Sequence, residues 1–401
     1  MSFRACRGIS LNPNFIEKIP PLVVFAELGR DDMLITMRQI VIVFFLIICA
    51  AGIIVFINMK SRVQYSVQKQ NIPKTTQKSD FIIKGSIPYW DQDGAFSSFR
   101  KNVNTFDYIN LFWYYLGDTG TVEVYKDAED DKSIIDFAHA NRVEAFAVIT
   151  NLSDKKGATW NSDLVESVIK NKASRAKHIS RIIEKIEEFD FDGVTIDYED
   201  VRKSQKENFS SFIEELSTAL HQNGKIVAVA LHAKTSDSDS GNGAFQDWET
   251  LAKYADHLNI MAYGEHWDES SAGPIASVGW VEKIIEYAQS LDIPSEKFIL
   301  GIPLYGYDWN KDDDTAAKGL IYEDAQNLLI EFDKEEQWDV KSSSSYFFYE
   351  YEDENHEVWF ENSRSVMVKI ELAKKAGFAG VTFWRLGGED QKVWEAVDSL
   401  R

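Results

Sequence analysis

FDGVTIDYED, from Phe191 to Asp200, alternates in a way that only a strand uses. Val194, Ile196 and Tyr198 fall on one face, and Thr195, Asp197 and Glu199 on the other. The apolar set can pack under helices, so the polar set points inward, where an unpaired carboxylate costs several kcal/mol or takes up a proton. An isolated Asp-x-Glu usually ends in water or in ion pairs. Here the apolar alternation and the preceding Asp192-Gly193 argue for an interior position. Two residues along a strand separate the Asp197 and Glu199 Cα atoms by ~6.5–7 Å, so each raises the other's proton affinity. A carboxylic acid kept neutral at the C-terminal mouth of a barrel strand is what protonating a leaving-group oxygen requires.

Seven further apolar runs flank this one: FIIKGSIPYW from Phe81, FDYINLFWYY from Phe106, VEAFAVITN from Val143, KIVAVALHA from Lys225, HLNIMAY from His257, KFILGIPLYGY from Lys297 and FAGVTFWRL from Phe378. Helical stripes lie between them, such as Phe209, Phe212, Ile213, Leu216 and Leu220, with Gly224 at the expected stop. Ile179, Ile182, Ile183 and Ile186 form a second stripe, and Val281, Ile284, Ile285 and Ala288 a third. Eight such units in about three hundred residues predict a (β/α)₈ TIM barrel over 81–401 rather than an open sheet. The stretch from about 310 to 362 departs from the repeat. It holds a helical segment, EDAQNLLIEF, and two aromatic-rich runs flanking Asp353-Glu354-Asn355, which predicts a small α+β insertion between strands 7 and 8.

Ile40 to Ile57 is eighteen residues without a charge, flanked by Arg38 and by Lys60 and Arg62. That length predicts an N-terminal transmembrane helix over 39–59 acting as a single-pass anchor, with a cleaved signal peptide and secretion as the alternative. Residues 1–38 form a tail of little pattern, and Met33 or Met37 could begin a more ordinary anchor. Residues 60–80 have the composition of a flexible linker. Residues 80–401 carry 33 basic against 60 acidic residues, a net −27. Such a charge repels phosphate backbones and argues against nucleic-acid binding. The two cysteines, Cys6 and Cys49, offer neither a disulfide framework nor a zinc site, no HExxH spacing occurs, and no cofactor or metal is expected.

DGVTIDYE, from Asp192 to Glu199, resembles the DGxDxDxE signature of family-18 glycoside hydrolases, the chitinase-like barrels. MAYGEHW from Met261, GPIASVGWVEKIIEY with IPSEKFILGIPLYGYDW, and VWFENSRSV with GFAGVTFWRLGGED extend the resemblance over 81–401. Several segments are most similar to the spore-cortex-lytic branch, whose domains act on peptidoglycan. The resemblance implies a retaining glycosidase acting on β-1,4-linked N-acetylglucosamine glycans, with the sugar's own N-acetyl group in place of an enzyme nucleophile. Glu199 then matches the general acid/base, Asp197 and Tyr263 the residues that orient the acetamide, and Trp384 the floor of the sugar site, with Met261 beside them. Thr195 stands where most members have the middle Asp, and Gly264 where an Asp usually follows the tyrosine, a contact that Glu265 could supply. The expected setting is an extracellular domain on the cell membrane, monomeric, with a glycan as partner. A catalytically weak chitinase-like carbohydrate-binding protein is the alternative function.

Trp113 and Trp267 sit near predicted strand ends and are candidates to stack on sugar rings, with Trp90, Tyr114 and Trp309 behind them. Asn151 ends the third strand and could donate to a sugar hydroxyl, or serve only the turn. His232 and His266 lie toward the same mouth, in structural or substrate-contacting roles.

Overall fold

The computed structural model describes residues 81–399 apart from 155–158, 238–240 and 314. The tail, anchor and linker predicted for 1–80 lie outside the described residues. Among those described, no helix is long and apolar enough to cross a membrane.

The strands, in chain order, are β1 (Ile82–Pro88), β2 (Tyr108–Leu116), β3 (Val122–Val124), β4 (Glu144–Thr150), β5 (Gly193–Asp197), β6 (Ile226–His232), β7 (His257–Met261) and β8 (Phe298–Pro303). They continue with β9 (Tyr305–Asn310), β10 (Lys318–Ile321), β11 (Gln337–Asp339), β12 (Ser344–Tyr351), β13 (Glu354–Phe360) and β14 (Gly380–Trp384). Parallel pairing runs β1-β14-β8-β7-β6-β5-β4-β2, and β2 pairs back to β1, so eight strands close into the expected barrel. Each predicted strand supplies one stave.

Helices cover the outside because their stripes match the sheet's apolar face. In Lys206–His221, Phe209, Phe212, Ile213, Leu216 and Leu220 are all buried, each contributing about 1.5–3 kcal/mol over exposure. The Asp-Gly that opens β5 is structural. Asp192 accepts from Ala145 N and from His139, each at 2.8 Å, and a Cβ on Gly193 would lie 2.4 Å from Ile226 O. Only glycine lets β5 sit that close to β6.

KFILGIPLYGY does not stay in the barrel. It breaks at Leu304, where the amide donates to Trp384 O, and Tyr305 begins a second, antiparallel sheet ordered β10-β9-β13-β12-β11. The 310 boundary therefore falls at the end of β9. One face of this sheet packs Phe347, Val358, Phe360 and Leu320 against the helix Tyr322–Glu331. The β12–β13 turn is Glu352–Asp353, both at positive φ, one step before the predicted Asp353-Glu354-Asn355.

Candidate active site

Four parallel strands set the centre of the site. The register that pairs Thr150 with Asp197, Ile196 with Val229 and His232 with Met261 brings the ends of β4, β5, β6 and β7 to one level at the barrel mouth. Alternation along β6 turns His232 inward on the same layer as Glu199. Glu199, His232, Met261 and Tyr263 line one pocket of about 320 Å³, closed by Gly241–Gly243, Gly264 and Trp280.

Asp197 is buried, and its Oδ1 has no hydrogen-bond partner among the described residues. Burial alone pushes its carboxyl upward. Burial also raises Glu199, and the negative charges of Asp197 and Asp200 raise it further, so this carboxyl holds a proton well above the usual range. The layer next to them is polar without charge: Thr195 Oγ1 donates to Asn110 Oδ1 at 3.3 Å, and Asn110 Nδ2 donates to Thr382 Oγ1 at 3.4 Å. The Thr195 departure thus removes a third charge rather than leaving a hole. Burial, then Asp197, Tyr305 and Glu199, hold the Tyr263 phenol far above its ordinary value, so it remains a donor.

Gly264 has φ +81, and its amide, like that of Glu265, donates to Ile275 O. An added Cβ would meet nothing within 4 Å, so backbone conformation, not space, selects glycine here. Glu265 Oε2 accepts from Ser277 N at 2.7 Å, which commits that oxygen to the start of the helix Val278–Ser290.

Trp384 stands across the mouth. Phe112 meets it edge-on at 5.0 Å and Trp90 at 5.9 Å, and Trp90 and Trp384 share a 450 Å³ pocket with Tyr305, Tyr307, Asp324 and Arg385. Arg385 pairs with Asp91, and the buried carboxylate of Glu389 takes Gly387 N at 2.7 Å and Trp394 Nε1 at 2.8 Å, fixing the loop behind the tryptophan.

The other sequence candidates are placed as follows. Trp113 is 0% exposed in the core between barrel and helices. Alternation from Asn110, which faces into the barrel, puts Phe112 inside against Trp384 and Trp113 outside with Leu111, and the bulge between Leu111 and Tyr114 turns Tyr114 outward as well. Asn151 is buried and turned to the chain itself. Its Oδ1 accepts from Glu199 N and its Nδ2 donates to Glu199 O, both at 2.8 Å, so the amide clamps the backbone of Glu199. Trp267 is 50% exposed on the loop after β7 and lines neither pocket, His266 Nδ1 donates to Ser271 O on that loop, and Trp309 is buried with its indole N–H on Ser270 O. Trp90, which the sequence ranked behind Trp113 and Trp267, lines the pocket with Trp384, as do Tyr305 and Tyr307, which the sequence did not single out. Their only signal was position at a strand end, which core aromatics share.

The profile of glycosyl hydrolases family 18 matches residues 86–389, most of the described barrel. The chain belongs to this family. It is a glycosidase, and the family's members act on N-acetylglucosamine-containing glycans. An uncharacterized glycosylase (YvbX) of Bacillus subtilis strain 168 is 29% identical over 263 residues, 65% of this chain and 76% of that protein. The cortical fragment-lytic enzyme of Bacillus anthracis is 26% identical over 338 residues, covering 81% of this chain and 76% of the relative. Among solved structures, a chitinase from Chromobacterium violaceum ATCC 12472 superposes with a TM-score of 0.73 at 26% identity, over 79% of this chain and 98% of the chitinase.

Proposed function

We propose that this glycosidase hydrolyses β-1,4-linked N-acetylglucosamine glycans with retention, peptidoglycan ahead of chitin, and that Glu199 is its general acid/base. The observation that carries the reading is the pair of buried Asp197 and half-buried Glu199, two residues apart at the mouth of β5, with both carboxyls driven toward the protonated form. Protonated Glu199 donates to the glycosidic oxygen as the C1–O bond breaks. The carbonyl oxygen of the substrate's own acetamide bonds to C1, giving an oxazolinium-like ion. Glu199, now a carboxylate, takes a proton from water, whose oxygen then displaces the acetamide from C1 with net retention.

The unpartnered Asp197 Oδ1 suits an acetamide N–H, and the neutral Tyr263 phenol suits its carbonyl oxygen. Positive charge develops beside Asp197 only in the transition state, so its stabilisation is differential. Trp384, with Trp90 and Phe112 around it, offers a stacking floor for the sugar. The names of the cortical fragment-lytic relatives support peptidoglycan as the first polymer to test. Both polymers lie outside the membrane, which supports an exported barrel held by the apolar 40–57 segment.

Replacing Glu199 with Gln keeps shape and removes the proton donor. The purified protein, incubated with peptidoglycan and with chitin oligomers, is expected to produce new N-acetylglucosamine reducing ends by mass spectrometry. E199Q is expected to lose this activity by ~10²–10⁴-fold while still retaining glycan. Unchanged turnover in E199Q would exclude Glu199 as the acid. Glycan retention with no turnover in the unsubstituted protein would favour the carbohydrate-binding alternative.

A further inference from the structure

A histidine that the mechanism above does not use stands beside Glu199. His232 Nε2 lies 3.6 Å from Glu199 Oε2, is buried, and has no hydrogen-bond partner among the described residues. The ring is held from several sides. Gln246 Oε1 accepts from His232 N at 2.8 Å, Phe245 meets the imidazole edge-on, and a Cβ on Gly243 would come within 2.9 Å of His232 Cβ. The loop beneath it is therefore fitted to this side chain. The separation is slightly longer than a hydrogen bond, as contacts in unliganded active sites commonly are before substrate tightens them.

We propose that His232 is a positioning residue for the acid: its imidazole N–H holds Glu199 Oε2, so that the transferable proton stays on Oε1. This rests on Glu199 being the acid/base.

The chemistry explains why a histidine serves. A cation against Glu199 would favour the carboxylate and remove the proton the reaction needs, whereas an apolar side chain would leave the two oxygens equivalent and free to rotate. A neutral N–H orients the group without discharging it. The titratable and charged groups around the imidazole are Glu199 and Asp197 on the β5 side, Tyr263 after β7, and Lys234 two residues past the end of β6. Gly241–Gly243, Met261 and Trp280 add no charge. Burial and then the Lys234 ammonium push the imidazole down to about 4, which keeps it neutral where Glu199 acts.

The experiment compares the purified full chain with His232→Phe, His232→Gln and Glu199→Gln on peptidoglycan and on a chitin tetrasaccharide, following kcat, KM and the pH dependence of kcat/KM, with thermal melting as a folding control. H232F should lose roughly ten- to a hundredfold in kcat with KM changed less than about twofold. Loss of a donor to the carboxylate favours the protonated acid, so the basic limb of its profile moves to higher pH. H232Q, which restores an amide N–H, should recover rate and profile together. A profile for H232F that superimposes on the parent overturns the proposal. Equal loss of rate in H232F and H232Q, tracking a lower melting temperature, overturns it as well. If the parent cleaves neither polymer and matches E199Q, the hydrolytic reading itself fails, and this proposal with it.

Discussion

Asn151→Ala is the most direct probe of how the fold holds its acid. The amide makes two 2.8 Å hydrogen bonds to the backbone of Glu199 from a nearly solvent-free position. Each bond contributes about 1 kcal/mol net, and the buried N–H and C=O left behind cost more when unsatisfied, so destabilisation of about 2–4 kcal/mol is expected. Catalysis should suffer separately. Freed of its clamp, residue 199 can shift by on the order of 1 Å, and a displacement of that size costs ~10²-fold, equivalent to about 2.7 kcal/mol of barrier. Urea unfolding reads the first effect, and steady-state release of reducing ends reads the second. The loss should appear in kcat with KM little changed, because Asn151 touches no ligand. N151A that is folded, as stable as its parent and equally fast would refute the argument that this amide places the acid.

The carboxyl pair makes a prediction about stability as well as rate. The folded chain binds protons that the unfolded chain has already lost, so stability falls as pH rises from the ordinary carboxylate range through the raised folded values of Asp197 and Glu199. Asp197→Asn should therefore raise the melting temperature at pH 8 by roughly 2–4 °C. The gain should vanish near pH 4, and a gain that instead grows toward acid would contradict the assignment. For the 40–57 segment, the expected result is recovery of the full-length protein in the membrane fraction, with the barrel cleaved by protease added outside intact cells. A barrel protected until the cells are lysed would place it on the other side.

The legible part of this protein was the part carried by short-range pattern. Alternation in FDGVTIDYED put Asp197 and Glu199 on the inward face, and the same period located all eight staves. Where the backbone breaks that period, reading side by side fails. The bulge in β2 turns Tyr114 outward beside Trp113, and the turn at Leu304 carries Tyr305 and Tyr307 out of the barrel into the wall beside Trp384. The bulge has no glycine to mark it; Pro303 and Gly306 flank the Leu304 turn, but where the chain goes from there is fixed by pairing with β10 and β13.

Sequence alone determined the barrel, its acidic pair and the family likeness, since hydrophobic period and residue chemistry are properties of adjacent positions along the chain. Tertiary structure decided which polar side chains serve that pair. Asn151, 48 residues before Glu199, and His232, 33 after it, reach the acid only because three staves share a register. An amide at a strand end or a histidine on an inner face has no meaning until closure of the sheet chooses its neighbour. Proximity across a closed barrel is set by strand pairing, which linear spacing does not encode.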